Sequence, residues 1–249
     1  MKRLLTLLTL VLFSICTYAQ SASNYVKLGD KALKEMKEST AFNNYKKALQ
    51  LEKKNLKALA GASLMCSRIG NRKSAKSDKI AYFKAAKNYA TRAVQANPKS
   101  ADANYVMAVA MGRMALISGS KDKVAASRNI KKYADLAVKY KPTHAEAWHV
   151  LGKYNFEVSN LNFAEKGAAN LLFGGLPDGD VKTAIKYYQK SIKLNPKYML
   201  NYYELGRAYK EAEKKAEAKA ILRKGLAVAN SSYDDKATKA KMTSLLKSL

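Results

Sequence analysis

The sequence predicts an all-α chain of helical hairpins laid side by side, and three observations lead there. Breakers are scarce, with 12 Gly and 4 Pro in 249 residues, whereas 48% of the residues are hydrophobic. Good helix formers without long β-branched alternation leave little from which to build a sheet. Three of the four prolines, Pro98, Pro142 and Pro196, close similar segments, and a size pattern recurs around each. Six residues after the proline stands Asn104, Trp148 or Tyr202; nine after, Met107, Leu151 or Leu205; ten after, Ala108, Gly152 or Gly206. Twelve, eight and five residues before it stand Ala86, Ala90, Ala93; Ile130, Ala134, Ala137; and Ala184, Tyr188, Ser191.

This spacing resembles the tetratricopeptide repeat, a unit of about 34 residues carrying W-x2-L-G-x2-Y, then small and bulky positions, then Pro. Residues 196–225, "PKYMLNYYELGRAYKEAEKKAEAKAILRKG", supply Tyr202, Leu205, Gly206, Tyr209, Ala218, Leu222 and Gly225 at those positions. The N-terminal segment supplies Tyr25, Leu28, Gly29, Ala41, Tyr45 and Ala48, with Lys53 where Pro is expected. The resemblance implies a solenoid of five units, about 23–55, 56–99, 100–143, 144–197 and 198–231, with a capping helix over 233–249. Small residues let the paired helices approach, so Gly206 is expected against Ala218. Pro196 ends the helix before it. No hairpin buries its apolar face alone, so the units must stack.

Pro98 and Pro142 are 44 residues apart, and Pro142 and Pro196 are 54 apart. The excess over the repeat length must be loops or lengthened helices, with candidates at 70–79, 118–123 and 158–180. The region 141–230 also resembles the regulator of microtubule dynamics family. It does so through Leu151-Gly152, Val158-Ser159-Leu161, the run from Ala168 to Phe173-Gly174, Pro177, and Ala184-Tyr188-Ser191. That resemblance implies a tetratricopeptide-like helical domain, and it places no partner-binding residue on this chain.

The first residues, "MKRLLTLLTLVLFSICTYAQ", read as a secretory signal peptide over 1–19: a basic start, a short apolar core, and cleavage near Ala19. The apolar run is shorter than the roughly 20 residues of a membrane span. The mature chain is therefore expected outside the cytoplasm, most naturally in a periplasm. Of the two cysteines, Cys66 alone would remain, as a small buried residue.

The formal charge of +27, from 46 Lys+Arg against 19 Asp+Glu, makes the chain friendly to polyanions. For an exported protein, acidic protein segments, anionic lipid and glycan are more available than nucleic acid. No catalytic frame, cofactor site or metal site is expected. His144 and His149 are five apart on one predicted helix, and ligands on adjacent turns need three or four. Asp178-Gly179-Asp180 reads as a turn with Asp180 capping the next helix. Gly119-Ser120-Lys121 and Phe173-Gly174-Gly175 lack the frame of a nucleotide cradle. Trp148 holds a repeat packing position and is expected in the core.

The expected function is a non-enzymatic, exported scaffold binding a protein or peptide through the concave face. That groove would be lined by Tyr105, Arg113, His149, Lys153, Phe156, Tyr203, Arg207 and Lys210, a mixture of rings and cations suited to an acidic segment. Val26 and Asp30 stand where a two-carboxylate clamp would need other residues. The alternatives are an envelope-associated protein held to anionic lipid or glycan, or an adaptor like the microtubule regulators if residues 1–19 are retained.

Overall fold

Polar residues precede the first helix of each of the first four hairpins. Ser21, Asn55 and Ser100 each accept the backbone N–H three residues on, which satisfies an otherwise orphaned donor, and His144 stands at the corresponding place before the fourth. The computed structural model describes residues 21–161, 166–167, 169–170 and 179–249, side chains of 120–125 excepted. Residues 1–20, including the expected signal peptide, lie outside them, as do Phe173, Gly174, Pro177 and Asp178 of the long insertion.

The helices are α1 (Ala22–Lys34), α2 (Glu38–Leu51), α3 (Leu56–Arg72), α4 (Lys76–Ala96), α5 (Ala101–Ala115), α6 (Ser120–Tyr140), α7 (Ala145–Ser159), α8 (Val181–Leu194), α9 (Leu200–Glu211), α10 (Lys215–Leu226) and α11 (Asp235–Lys247). No strand occurs among the described residues. Successive helices pair as hairpins, α1 with α2 through α9 with α10. Each first helix also meets the first helix of the next hairpin, whereas the second helices do not meet one another. Closer contact on one side bends the array, so α1, α3, α5, α7 and α9 form its inner face. The fold is the expected tetratricopeptide-type solenoid, with α11 packed on α9 and α10.

Small residues admit the large ones, as the repeat pattern requires. The Tyr45 ring is held between Gly29 and Gly61, where an added Cβ would stand 2.6 Å from a ring carbon on either side. Gly152 accommodates Tyr188 in the same way, at 2.8 Å. Gly206 does so for Leu222 at 2.6 Å, which corrects the expected Gly206–Ala218 facing. The helices meet as anticipated, but the filling side chain comes from one turn further along α10.

Two further expectations change, and the choice left open for the inserted segments is settled for two of them. Leu28, a repeat-pattern position, is 43% exposed. Trp148 is only half-buried. Its indole lies beside Tyr187, centroids 5.1 Å apart, under the Lys190 ammonium, and donates to the Pro142 carbonyl at 2.8 Å. Most of segments 70–79 and 118–123 joins helices, since α4 and α6 each run 21 residues against 14 for α2 and α8. The Asp180 cap is observed, accepting from Thr183 N at 2.8 Å.

The array curls far enough for the second hairpin to meet the segment before α11. Arg72, at the end of α3, donates to both Asp234 carboxylate oxygens at 3.0 and 3.1 Å, a contact spanning 162 residues of sequence. Its guanidinium also lies 4.4 Å from the Tyr233 ring centroid.

Candidate functional site

The inner face is built from side chains at matching places on successive first helices. Tyr105 and His149 both stand five residues after their caps, Ser100 and His144. Arg68 and Arg113 both stand 13 residues after theirs, Asn55 and Ser100. On a helix that offset puts the two arginines about two turns beyond the aromatic layer.

Of the eight expected groove residues, Tyr105, His149 and Phe156 are buried, Arg113, Tyr203 and Arg207 are half-buried, and Lys153 and Lys210 are exposed. They fall into three groups. The first joins Tyr105 and Arg113 to Arg68 and Tyr198, because both guanidinium charges act on both phenols. Tyr198, which precedes α9, reaches across to His149, ring centroids 5.0 Å apart. The second gathers Lys153 and Arg207 around buried Glu204, at 3.2 and 2.8 Å, with the Arg207 guanidinium 4.7 Å from the Phe156 ring centroid. Burial pushes the Glu204 carboxyl up, but the charges of Lys153, His149 and Arg207 outweigh it and hold the pKa low. The third places Tyr203 and Lys210 beside the terminal helix, Tyr203 in its apolar contact and Lys210 donating to Ser248 Oγ at 3.2 Å.

Sequence reasoning missed Glu38, Arg68, Arg72 and Tyr198. Glu38 is 4% exposed and accepts from Arg68 at 3.2 Å and from Arg72. The shared register of Arg68 and Arg113 was visible in the sequence once the caps were aligned. The reach of Tyr198 and Asp234 was not, since it depends on the curl.

The two histidines serve different networks. His149 is buried and its Nδ1 lies 2.7 Å from Asn201 Oδ1, so an Nδ1–H donor satisfies both. Asn201 donates to Ser191 Oγ at 2.7 Å, and Ser191 donates to the Ala145 carbonyl at 2.6 Å. Burial outweighs the field of Glu204 and pulls the His149 pKa down to about 4. His144 lies between carboxylates, with Nε2 3.2 Å from Asp102 and Nδ1 3.3 Å from Glu146. Burial opposes its charge, but hydrogen bonds to Asp102 and Glu146 outweigh it and raise the pKa to about 9. As a cation His144 donates from both nitrogens; as a neutral ring its Nδ1 accepts the Ala147 N–H at 3.2 Å. The carboxylates address opposite nitrogens and do not converge on a common point. Cys66 is fully buried, and burial pushes its thiol up to about 12, so the nucleophilic thiolate is suppressed.

Comparison with known proteins bears on the fold and the family. A protein of Thermus thermophilus, described as a thermophilic TPR protein, is 15% identical, and the match covers 91% of this chain and 100% of that one with a TM-score of 0.66. A chain of the APC/C hetero-tetramer Cut9-Hcn1 is 15% identical with a TM-score of 0.64, covering 94% of this chain and 38% of that one. Regulator of microtubule dynamics protein 2 of Homo sapiens and of Macaca fascicularis are each 29% identical over 103 residues. That stretch is 41% of this chain and a quarter of those relatives. The family model of regulator of microtubule dynamics protein 1-3 matches residues 25–249, which extends the resemblance seen over 141–230 to the N-terminal hairpins. With the match running from α1 to the last residue, the chain belongs to the regulator of microtubule dynamics protein 1-3 family.

Proposed function

We propose that this chain is a non-enzymatic scaffold that binds a segment of another protein along the inner face of its helical array. The observation that carries the reading is the composition of that face. Tyr105, Tyr198 and His149 supply ring area, and Arg68, Arg72 and Arg113 supply three guanidinium groups against the carboxylates of Glu38 and Asp234. Rings anchored on rigid helices give contact area at small entropic cost, and guanidinium groups recognise acidic side chains. Membership of the family supports the scaffold fold, and the partner has to be found by experiment.

The test places a photo-crosslinking amino acid at Tyr198 on the inner side, or at exposed Lys87 on α4, and irradiates cells making the protein. A discrete adduct from position 198 and none from 87 is expected. Equal adducts from both, or one from 87 alone, would remove the inner-face reading. The +27 formal charge supports a second reading, attachment to anionic lipid or glycan. Sedimentation with anionic vesicles that is lost between low and moderate salt would favour it. The N-terminal pattern supports export, and a mature chain whose measured mass does not correspond to a start at Gln20 would count against that.

A further inference from the structure

One guanidinium on the inner face is matched differently from its neighbours. Arg68 has Glu38 at 3.2 Å, and Arg72 has both Glu38 and Asp234. Arg113 has no carboxylate within ion-pair distance among the described residues. Its hydrogen bond goes to the neutral Asn71 Oδ1 at 2.9 Å, and its Nε is buried with no acceptor. Burial holds this guanidinium below its ordinary pKa, and the charge of Arg68 pushes the same way, while Asp234 opposes from beyond contact. A buried donor on a cation that lacks an acceptor is costly, and natural structures seldom keep one without a reason.

The surroundings say what kind of group is missing. Tyr105 and Tyr198 lie within electrostatic reach of both Arg68 and Arg113, so the vicinity is aromatic and basic. Arg68 and Arg72 already hold Glu38 and Asp234, and Glu146 acts on both phenols, so the guanidinium left for a further acidic group is that of Arg113. A planar carboxylate also matches the fork of a guanidinium.

We propose that Arg113, with Arg68 beside it, is the receptor for one carboxylate of an acidic peptide segment bound along the inner face. This rests on the inner-face reading and adds the chemistry of the ligand and the residue that reads it. The probe is a fluorescein-labelled oligoglutamate peptide with both ends blocked, titrated at physiological ionic strength to screen the surface lysines. Arg113→Met is expected to weaken binding by about tenfold or more, since it removes a charge-assisted pair. Its urea midpoint should stay level or rise, because a half-buried guanidinium with one buried unsatisfied donor is replaced by an apolar chain of similar length. The paired variant Lys84→Gln, Lys87→Gln loses more charge from the outer side and should bind like the parent.

In a nitrogen-15 spectrum, the Nε–H resonance missing from Arg113→Met should move as unlabelled peptide is added. Equal affinity for parent and Arg113→Met would overturn the receptor, as would an unmoved resonance at saturation. A parent that binds neutral peptides as tightly as oligoglutamate also overturns it, with the inner-face reading intact. A parent that binds no peptide of any composition removes both.

Discussion

Replacing Glu38 by Gln is expected to lower the unfolding free energy by about 3–5 kcal/mol, seen as a drop in the urea midpoint with unchanged slope. Glu38 opens α2 and is 4% exposed, and its carboxylate serves two guanidinium groups at once. Removing the charge strands Arg68 and leaves Arg72 with Asp234 alone, with Arg113 already within the field of Arg68. Exposed ion pairs are worth about 0–1 kcal/mol, so burial sets the larger figure here. The same position also carries the acidic group in the first turn of α2, where the helix dipole favours it. Combining Glu38→Leu with Arg68→Met should recover part of the loss, because a matched apolar pair leaves fewer unpaired charges. A loss below about 1 kcal/mol for Glu38→Gln would mean the carboxylate does not hold the two arginines in solution.

The second large effect is a stability maximum near pH 6.5, with each histidine responsible for one side of it. The His144 pKa is raised from 6.5 to about 9, so its contribution is complete below pH 6.5 and is lost as pH climbs through 9. The His149 pKa is depressed from 6.5 to about 4, so the unfolded chain takes up the proton first. That side therefore loses stability as pH falls from 6.5 towards 4. Each shift corresponds to about 3 kcal/mol over its window. The Glu146 pKa is held down at about 2; burial acts against this, and hydrogen bonding to His144 prevails. Its stabilisation is present above pH 4.5 and vanishes as pH falls through 2, deepening the acid side. Urea midpoints measured across pH should show the two slopes separately. His144→Gln should flatten the alkaline side and also remove the part of the acid side that Glu146 supplies below pH 4.5, whereas His149→Gln should remove the acid slope between pH 6.5 and 4 and leave the alkaline side. A His144→Gln variant that keeps the alkaline slope would remove the assignment.

How much could be read in advance follows from which interactions are local. The hairpins, their small and bulky positions and the Asp180 cap depend on residues near in sequence, and all were legible. Two turns were not, because they break the usual chemistry. Met36 and Glu213 take φ of 59° where glycine is customary. In each, the next residue donates back to the carbonyl five residues earlier, Lys37 to Ala32 and Lys214 to Tyr209, both at 2.8 Å. The backbone hydrogen bonds of this helix stop hold residues that nothing in the sequence marked. On the inner face, Tyr105 and Arg113 were found because they sit beside repeat positions. Their environment was missed because Tyr198 and Asp234 arrive from hairpins far along the chain. The same absence of register information explains why Lys153 and Arg207 were expected to be open to a partner, when Glu204 already holds both.

The junction of Arg72 with Asp234 and Tyr233 changes how such an array comes apart. In an open stack each unit leans only on its neighbours, and units can be trimmed from either end with local consequences. Here a cut after Leu226 would be felt at Arg72 and Glu38, in the second hairpin and its neighbour. The second hairpin and the segment before α11 are thermodynamically coupled, so unravelling begun at α11 reports at α2 and α3.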